Sequence, residues 1–451
     1  MRGMSRILIQ VFLLFLIGLS ILYSYTWIWG NHSLTMKSSY TTPLSQMQNY
    51  KTSQRRKQNG SQKTWNQFGS HRNIGDPSVH QYQGKCAKES SELFQLSFRL
   101  FQSIEAIMNP VDCSKAKYLL CEWPFKDWGL GSMMHQISYC FSVALATNRV
   151  LLIRAQEKFI PQSWDYYLLH PSIKCWDYQY TNYTFWYDLE NFEKSNVQVV
   201  RLLLTTSRAA SQNKTWPRPL PENLMKSSAL WYKLAQLHQS RALWVVGQLM
   251  GYLIQPSLSF SQQLKDLKRA IGFIHPIIGV HIRRGDKITE AEPIPTYKYI
   301  ERIEAYINQL DYKTSNDKVP SIFIASDDRK LIDQIKQHYT QYNIIHVPHY
   351  FFKTHLDLIM FDILLLKECD YFIGTFSSNV GRLVYELQQS MYADASCLAE
   401  SLDDSYTTVY CCTLDHNQRN MGHFQPNCSS GTTRRQYDII EACKNVSLFP
   451  P

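Results

Sequence analysis

A chain of 451 residues, 44% apolar, 13% aromatic and 19% charged, is too long for one simple core and has room for two packed α/β units with extensions. That balance excludes disordered and fibrous classes. A formal net charge of +10 suits a phosphorylated ligand or an anionic membrane surface. Nucleic acid is the weakest candidate partner, because the first segment sends the chain elsewhere.

Residues 7–29 read ILIQVFLLFLIGLSILYSYTWIW and carry no charge. They supply the roughly 20 apolar residues that a helix needs to cross a bilayer. Arg2 and Arg6 precede the run, and no Lys or Arg follows until Lys37. The positive-inside bias therefore expects residues 1–6 as a cytoplasmic tail, 7–29 as a signal anchor and the remainder in the lumen. Tyr23, Tyr25, Trp27 and Trp29 crowd the far end as an interfacial belt would. A cleaved signal peptide is the alternative, but the run is long for one and no clean small-x-small site follows. Eleven cysteines in a lumenal chain read as disulfides rather than metal ligands, and the odd count leaves at least one unpaired or bonded to another chain. Six N-x-S/T sequons, at Asn31, Asn59, Asn182, Asn213, Asn427 and Asn445, fit the same compartment.

Residues 30–85 are rich in Ser, Gln, Asn, Thr and Lys, cannot bury enough to fold alone, and read as a stem. Within 86–112, Leu93, Phe94, Leu96, Phe98, Leu100, Phe101, Ile104 and Ile107 recur at helical spacing. They predict a neck helix that packs on the domain or on a partner helix, which leaves dimerisation open. Residues 113–275 form a first α/β unit. KYLLCEW and RVLLIR are its strands, the turn DWGLGSMMHQ leads to a helix from Ile137 to Thr147, and irregular loops run to about residue 220. Helices over Leu230–Leu253 and Ser259–Ile271 close the unit. Residues 276–404 alternate strand and helix: IIGVHIR, Thr296–Gln309, PSIFIASDD, Arg329–Tyr339, YNIIHV, Leu356–Lys367, DYFIGTFSS and Asn379–Gln389. That alternation predicts a parallel sheet covered on both faces. Residues 405–451 form a cysteine-containing tail with Cys411, Cys412, Cys428 and Cys443.

Ligands of open parallel sheets bind beyond the carboxyl ends of the strands. Three strands end in polar clusters: His281-Ile-Arg283-Arg284-Gly-Asp286-Lys287, Ser326-Asp327-Asp328 and Thr375-Phe-Ser377-Ser378. Of two adjacent arginines, one can enter the cleft while the other braces it, and guanidinium forks match phosphate oxygens. Ser377 and Ser378, before a helix, offer hydroxyls and helix-start amides to an anion. Together they describe a diphosphate cradle; the rival is a surface salt-bridge cluster of the same arginines with Asp286, Asp327 and Asp328. Gly129 and Gly131 would let backbone approach a phosphate or sugar, though an ordinary tight turn explains them equally. His135, taken alone, reads as a packed core histidine.

HIRRGDKITEA resembles the donor-site signature of the α-1,6-fucosyltransferases, which reads close to HVRRTDKVGTEA. The likeness continues through ASDD, LIMFDILLLKECDYFIGTFSSNVGRLVYEL and DASCLAESLDD, and upstream through NPVDCSKAKYLLC. It implies a two-part glycosyltransferase of GT-B-like type: an open-sheet α/β domain plus a Rossmann-like domain binding GDP-fucose. The implied enzyme is inverting, metal-independent, without a cofactor, and held in the Golgi as a single-pass type II protein. Carried over by position, Arg283 binds the diphosphate and stabilises leaving GDP. Arg284, Asp286 and Lys287 complete that loop, Glu290 is the general base, and Asp362 reads guanine. His281, Ser377, Ser378, Gly129 and Gly131 match further donor positions, and Asp327 and Asp328 the supporting acidic pair. The resemblance also implies disulfides Cys113–Cys175 and Cys121–Cys140. Its implied acceptor is the 6-OH of the innermost GlcNAc of N-glycans. A different acceptor, such as a chitin-like oligosaccharide, or a catalytically silent glycan-binding paralogue are the alternatives.

The chain departs from the family pattern in four places. The family disulfide around the Thr-Phe-Ser-Ser turn is replaced by Gly374 and Gly381. The donor loop is one residue shorter between Lys287 and Pro295, and Asn379 stands where Gln is common. The sequence ends 47 residues after Asp404, where the family carries a Src-homology-3 domain.

Overall fold

The computed structural model describes residues 91–122, 129–154, 164–203, 229–238, 240–285, 292–309, 320–392, 394–396 and 398–403, with Pro217, Pro219, Leu220 and Leu224. The expected span at 7–29, the stem, Asp286, Lys287, Glu290 and the tail lie outside the described residues. No helix among the described residues is long and apolar enough to cross a membrane.

The first sheet has the strands β1 (Tyr118–Glu122), β2 (Val150–Arg154), β3 (Thr184–Phe185) and β4 (Val199–Leu203) in the order β2-β1-β4-β3, every pair parallel. Alternation of side chains sorts its residues onto two faces. Leu119, Leu151, Val200 and Leu202 face the large core. Tyr118, Leu120, Val150, Leu152 and Val199 face a smaller cluster closed by Cys175, Tyr178 and Tyr180. The Cys113–Cys175 disulfide ties that covering segment down, and Cys121–Cys140 ties β1 to the next helix. β4 lies in the middle of the sheet, within a stretch whose Trp, Tyr and Pro content predicts only loops; the apolar run Val199–Leu203 overrides that local signal by pairing on both edges.

The second sheet contains β5 (Ile277–Ile282), β6 (Ser321–Ser326), β7 (Ile344–Ile345), β8 (Tyr371–Gly374) and β9 (Ala399–Ser401), again all parallel, in the order β7-β6-β5-β8-β9. β5 is buried along its whole length, as a strand covered on both faces must be. Ile278, Val280 and Ile282 meet one layer; Ile277, Phe323 and Phe372 meet the other. The order reverses between β5 and β8, which makes the gap between their carboxyl ends the topological switch point.

Helices in chain order are α1 (Ser91–Met108), α2 (Leu130–Ala146), α3 (Trp164–Tyr167), α4 (Ala229–Leu237), α5 (Arg241–Leu253), α6 (Leu258–Ile271), α7 (Thr296–Gln309), α8 (Arg329–His338), α9 (His355–Leu366) and α10 (Asn379–Met391). α1 buries Leu93, Leu100, Ile104 and Met108 in the same cluster as α5, and Tyr252 Oη donates to Glu105 at 2.9 Å. α2 begins at Leu130, well before the expected Ile137. α4 and α5 are two helices rather than one, separated where Ser240 caps α5 by accepting from the Leu243 amide.

The helix pair α5 and α10 joins the two sheets. Gly247 and Gly251, one turn apart on α5, face α10 with no space for a side chain: a Cβ on Gly247 would lie 2.6 Å from the Glu386 carbonyl oxygen, and one on Gly251 would collide with Ser390. One apolar cluster therefore runs unbroken from Leu119 and Val200 through Val246 and Leu387 to Phe372 and Phe323. Gly247→Ala is expected to cost about 1–3 kcal/mol through overpacking, read as a lower denaturant midpoint at unchanged slope. Unchanged stability would mean that the two helices have room to part.

Candidate functional site

The three polar clusters stand on adjacent strands: Ile282 pairs with Ser326 on one side of β5, and Val280 with Ile373 on the other. Parallel pairing puts all their carboxyl ends on one rim, at the switch point.

Asp327 organises that rim. Its carboxylate ion-pairs with Arg283 through Nη1 and accepts the backbone amide of Arg284 at 2.7 Å. Gly285 then turns the chain with φ +33° directly against the Asp327 carboxylate, a conformation that disfavours a side chain. The Arg283 side chain remains 30% exposed. Arg284 reaches α7 instead, its Nη2 donating to Thr296 Oγ1 at 3.4 Å at the helix start. The two acidic neighbours also divide: Asp327 holds the arginines, while Asp328 caps α8 by accepting the Leu331 amide at 3.2 Å.

His281 is buried, and its Nδ1 has no hydrogen-bond partner among the described residues. Burial pushes its imidazole down to about 4, so at neutral pH the ring is uncharged. Asp362, on α9, is also buried, with no hydrogen bond to any described residue. Burial pushes its carboxyl up to about 8, against the opposing pull of Arg329. Arg329 is held by the Val347 carbonyl at 2.7 Å and stacks on Phe352.

After β8 the backbone is spoken for. Asp403, beyond β9, accepts the amides of Phe376 at 2.8 Å and Ser377 at 2.9 Å, and the Ser378 amide bonds to Thr375 O at 3.2 Å. These amides are therefore not the open anion donors that a turn before a helix leads one to expect; the first amides of α10 itself, from Asn379 onward, are the ones without a partner in their own helix. Ser378 is the N-cap residue without a side-chain cap bond. Asp403 is a site-shaping residue that sequence reasoning missed; the acidic pair at the end of the ESLDD segment was the available signal.

Gly131 brings the first sheet's side of the cleft to this point. A Cβ there would lie 2.8 Å from the Asn379 carbonyl carbon and 2.8 Å from the Val380 nitrogen, so α2 and α10 start against each other. Gly129 caps α2 and has open space where a side chain would go. His135 and Glu386 fasten the same two helices further in, Nε2 to Oε2 at 3.0 Å, both buried. Among the described residues no group of three or more His, Cys, Asp or Glu could hold a metal ion. Asp286, Lys287 and Glu290 lie outside the described residues.

Gly131→Ala is expected to destabilise by about 1–3 kcal/mol, as overpacking of a tight contact does, and Asn379→Gly should restore little, since two of the three close atoms are backbone. Full stability of the single variant in urea unfolding would show that the two helix starts are not held together.

The family model for alpha-(1,6)-fucosyltransferase N- and catalytic domains matches residues 34–407. An alpha-(1,6)-fucosyltransferase of Drosophila melanogaster is 32% identical over 378 residues, covering 81% of this chain and 58% of that protein. One of Caenorhabditis elegans is 29% identical over 323 residues, covering 68% and 56%. The chain thus spans a little over half the length of these curated relatives. Among solved structures, a point mutant of Arabidopsis thaliana FUT1 in complex with GDP has a TM-score of 0.42 at 15% identity, over 68% of this chain and 80% of that one. Fucosyltransferase NodZ from Bradyrhizobium has a TM-score of 0.37 at 13% identity, over 64% and 97%. The sequence match takes in both sheets and the rim where the polar strand ends meet, and by it this chain belongs to the alpha-(1,6)-fucosyltransferase family.

Proposed function

We propose that this chain is an inverting glycosyltransferase that moves L-fucose from GDP-β-L-fucose to a glycan, with the 6-OH of the innermost GlcNAc of N-glycans as acceptor. The observation that carries this reading is the clamp of Asp327 on Arg283 at the end of β5, beside the switch point of a parallel sheet. A guanidinium fixed there places its charge against a diphosphate and stabilises the charge that grows on GDP as the sugar leaves. Arg284 holds the loop from behind through α7, and Asp286 and Lys287 continue it. Ser377, Ser378 and the neutral His281 supply hydrogen bonds to the donor, and Gly131 lets the opposite wall come close. Glu290 removes the proton from the attacking hydroxyl. Positive side chains supply the charge that a metal supplies elsewhere, so the reaction needs no metal and no cofactor.

The two parallel sheets fit a GT-B-like arrangement, with residues 113–275 as the first subdomain and 276–404 as the GDP-fucose subdomain. The charge pattern around residues 7–29 supports a type II Golgi membrane protein with its catalytic part in the lumen, carried on the 30–85 stem.

Arg283→Ala is expected to abolish transfer and weaken GDP binding. Arg283→Lys should fail to rescue either, because an ammonium lacks the two-armed fork. Wild-type turnover in the lysine variant would contradict the diphosphate role.

Asp362 reads guanine by accepting two N–H groups, which requires an ionised carboxylate. In the free protein burial holds that carboxyl near 8, so below that pH binding must release a proton and affinity falls. GDP affinity should therefore rise with pH from 6 towards 8, by up to about tenfold per pH unit, the limit for one coupled proton. Asp362→Asn should bind weakly at every pH, without this slope. Calorimetric titration across buffers of different ionisation enthalpy measures both; a flat wild-type profile removes Asp362 from the base site.

A further inference from the structure

We propose that Asn182 carries an N-linked glycan whose first sugar packs on the adjoining tyrosines, Tyr180 and Tyr183. The proposal rests on the lumenal orientation given above. Asn182 is the sequon asparagine that falls within the described residues, and it is exposed. The chain bends at Thr181, and Thr184, which completes the sequon, opens the edge strand β3.

The surroundings form a prepared surface. Tyr183 is 40% exposed and meets Tyr180 edge-on, ring centroids 6.3 Å apart. Arg201 lies over the Tyr183 ring at 5.0 Å and donates to its hydroxyl at 2.6 Å. Arg154 lies over Tyr180 at 5.7 Å. The rings are thus fixed before any sugar arrives, and an aromatic face is an apolar surface with little entropy left to lose on contact. A glycan here would also cover β3, a sheet edge that presents unpaired backbone groups. Its position leaves the candidate site clear: Asn182 leads into the amino end of a strand, whereas the donor rim lies at carboxyl ends.

The modification joins Asn182 Nδ2 to the anomeric carbon of a lipid-diphosphate-linked oligosaccharide. The N–C bond forms as the C–O bond to the lipid diphosphate breaks, the amide loses one proton to the transferring enzyme's base, and the lipid diphosphate leaves; no oxidation state changes.

The test is expression of the full chain in cells with a secretory pathway, followed by peptide mass spectrometry after glycan release in heavy-oxygen water. The expected result is a labelled Asn182 peptide, lost in Asn182→Gln and Thr184→Ala and kept in Thr184→Ser. Tyr180→Ala and Tyr183→Ala should keep the glycan but lose the drop in melting temperature that its enzymatic removal causes in the wild type. An unlabelled Asn182 in chains protected from added protease inside sealed microsomes would overturn the glycan. Chains digested from outside would overturn the lumenal orientation and the proposal with it. A melting shift that survives both tyrosine variants would overturn the packing.

Discussion

Gly247 and Gly251 let α5 lie directly on α10, and the position of α10, which starts at the polar turn after β8, depends on that contact. α10 belongs by connection to the second sheet, since it follows β8, yet it is buried on the first sheet's helices. Its start meets Gly131 and its second turn meets His135 through Glu386. The helix that carries the polar turn is therefore held by the opposite half of the molecule. A change in the α5–α10 distance would be felt at the start of α10, because a packed core transmits strain.

Within that frame a few carboxylates divide the work. Asp327 pairs with one arginine side chain and takes the backbone amide of the next, Asp328 caps a helix, and Asp403 consumes the amides of the turn after β8. Each is at a strand end and each fixes backbone rather than only balancing charge. Asp362 differs, being buried with its carboxyl raised by burial against the pull of Arg329 and with no hydrogen bond to any described residue. A buried carboxyl in that state is costly unless something completes it, which is the physical ground for proposing it as a ligand-reading group.

Much of this was legible in the sequence. α7 spans the residues its periodicity predicts, and the apolar run of β5 announces a strand covered on both faces. The polar tails of β5, β6 and β8 become neighbours as soon as a parallel sheet is assumed. What was hidden has physical causes. β4 lies in an aromatic-rich stretch, and only pairing on both edges reveals it as central. The break between α4 and α5 depends on a single serine cap. Hydrophobic spacing shows that α5 is buried but not how near its neighbour comes, so Gly247 and Gly251 gave no warning. The occupied amides of Phe376 and Ser377 depend on Asp403, which reaches them only because the three-residue β9 pairs with β8. The family resemblance offered candidate donor residues, but that Arg283 pairs with Asp327 while Arg284 reaches Thr296 on α7 required the structure.

The central claim is donor chemistry at the rim between β5 and β8. The most direct measurement incubates the purified chain with GDP-fucose carrying a ¹³C-labelled fucose and a defined N-glycan, then reads the product by NMR. The account predicts a single new fucose, α-linked, with its anomeric carbon joined to the 6-oxygen of the innermost GlcNAc and stoichiometric GDP release. Retention of the β configuration, or release of free fucose with no glycan product under conditions where GDP-fucose binds, would contradict it.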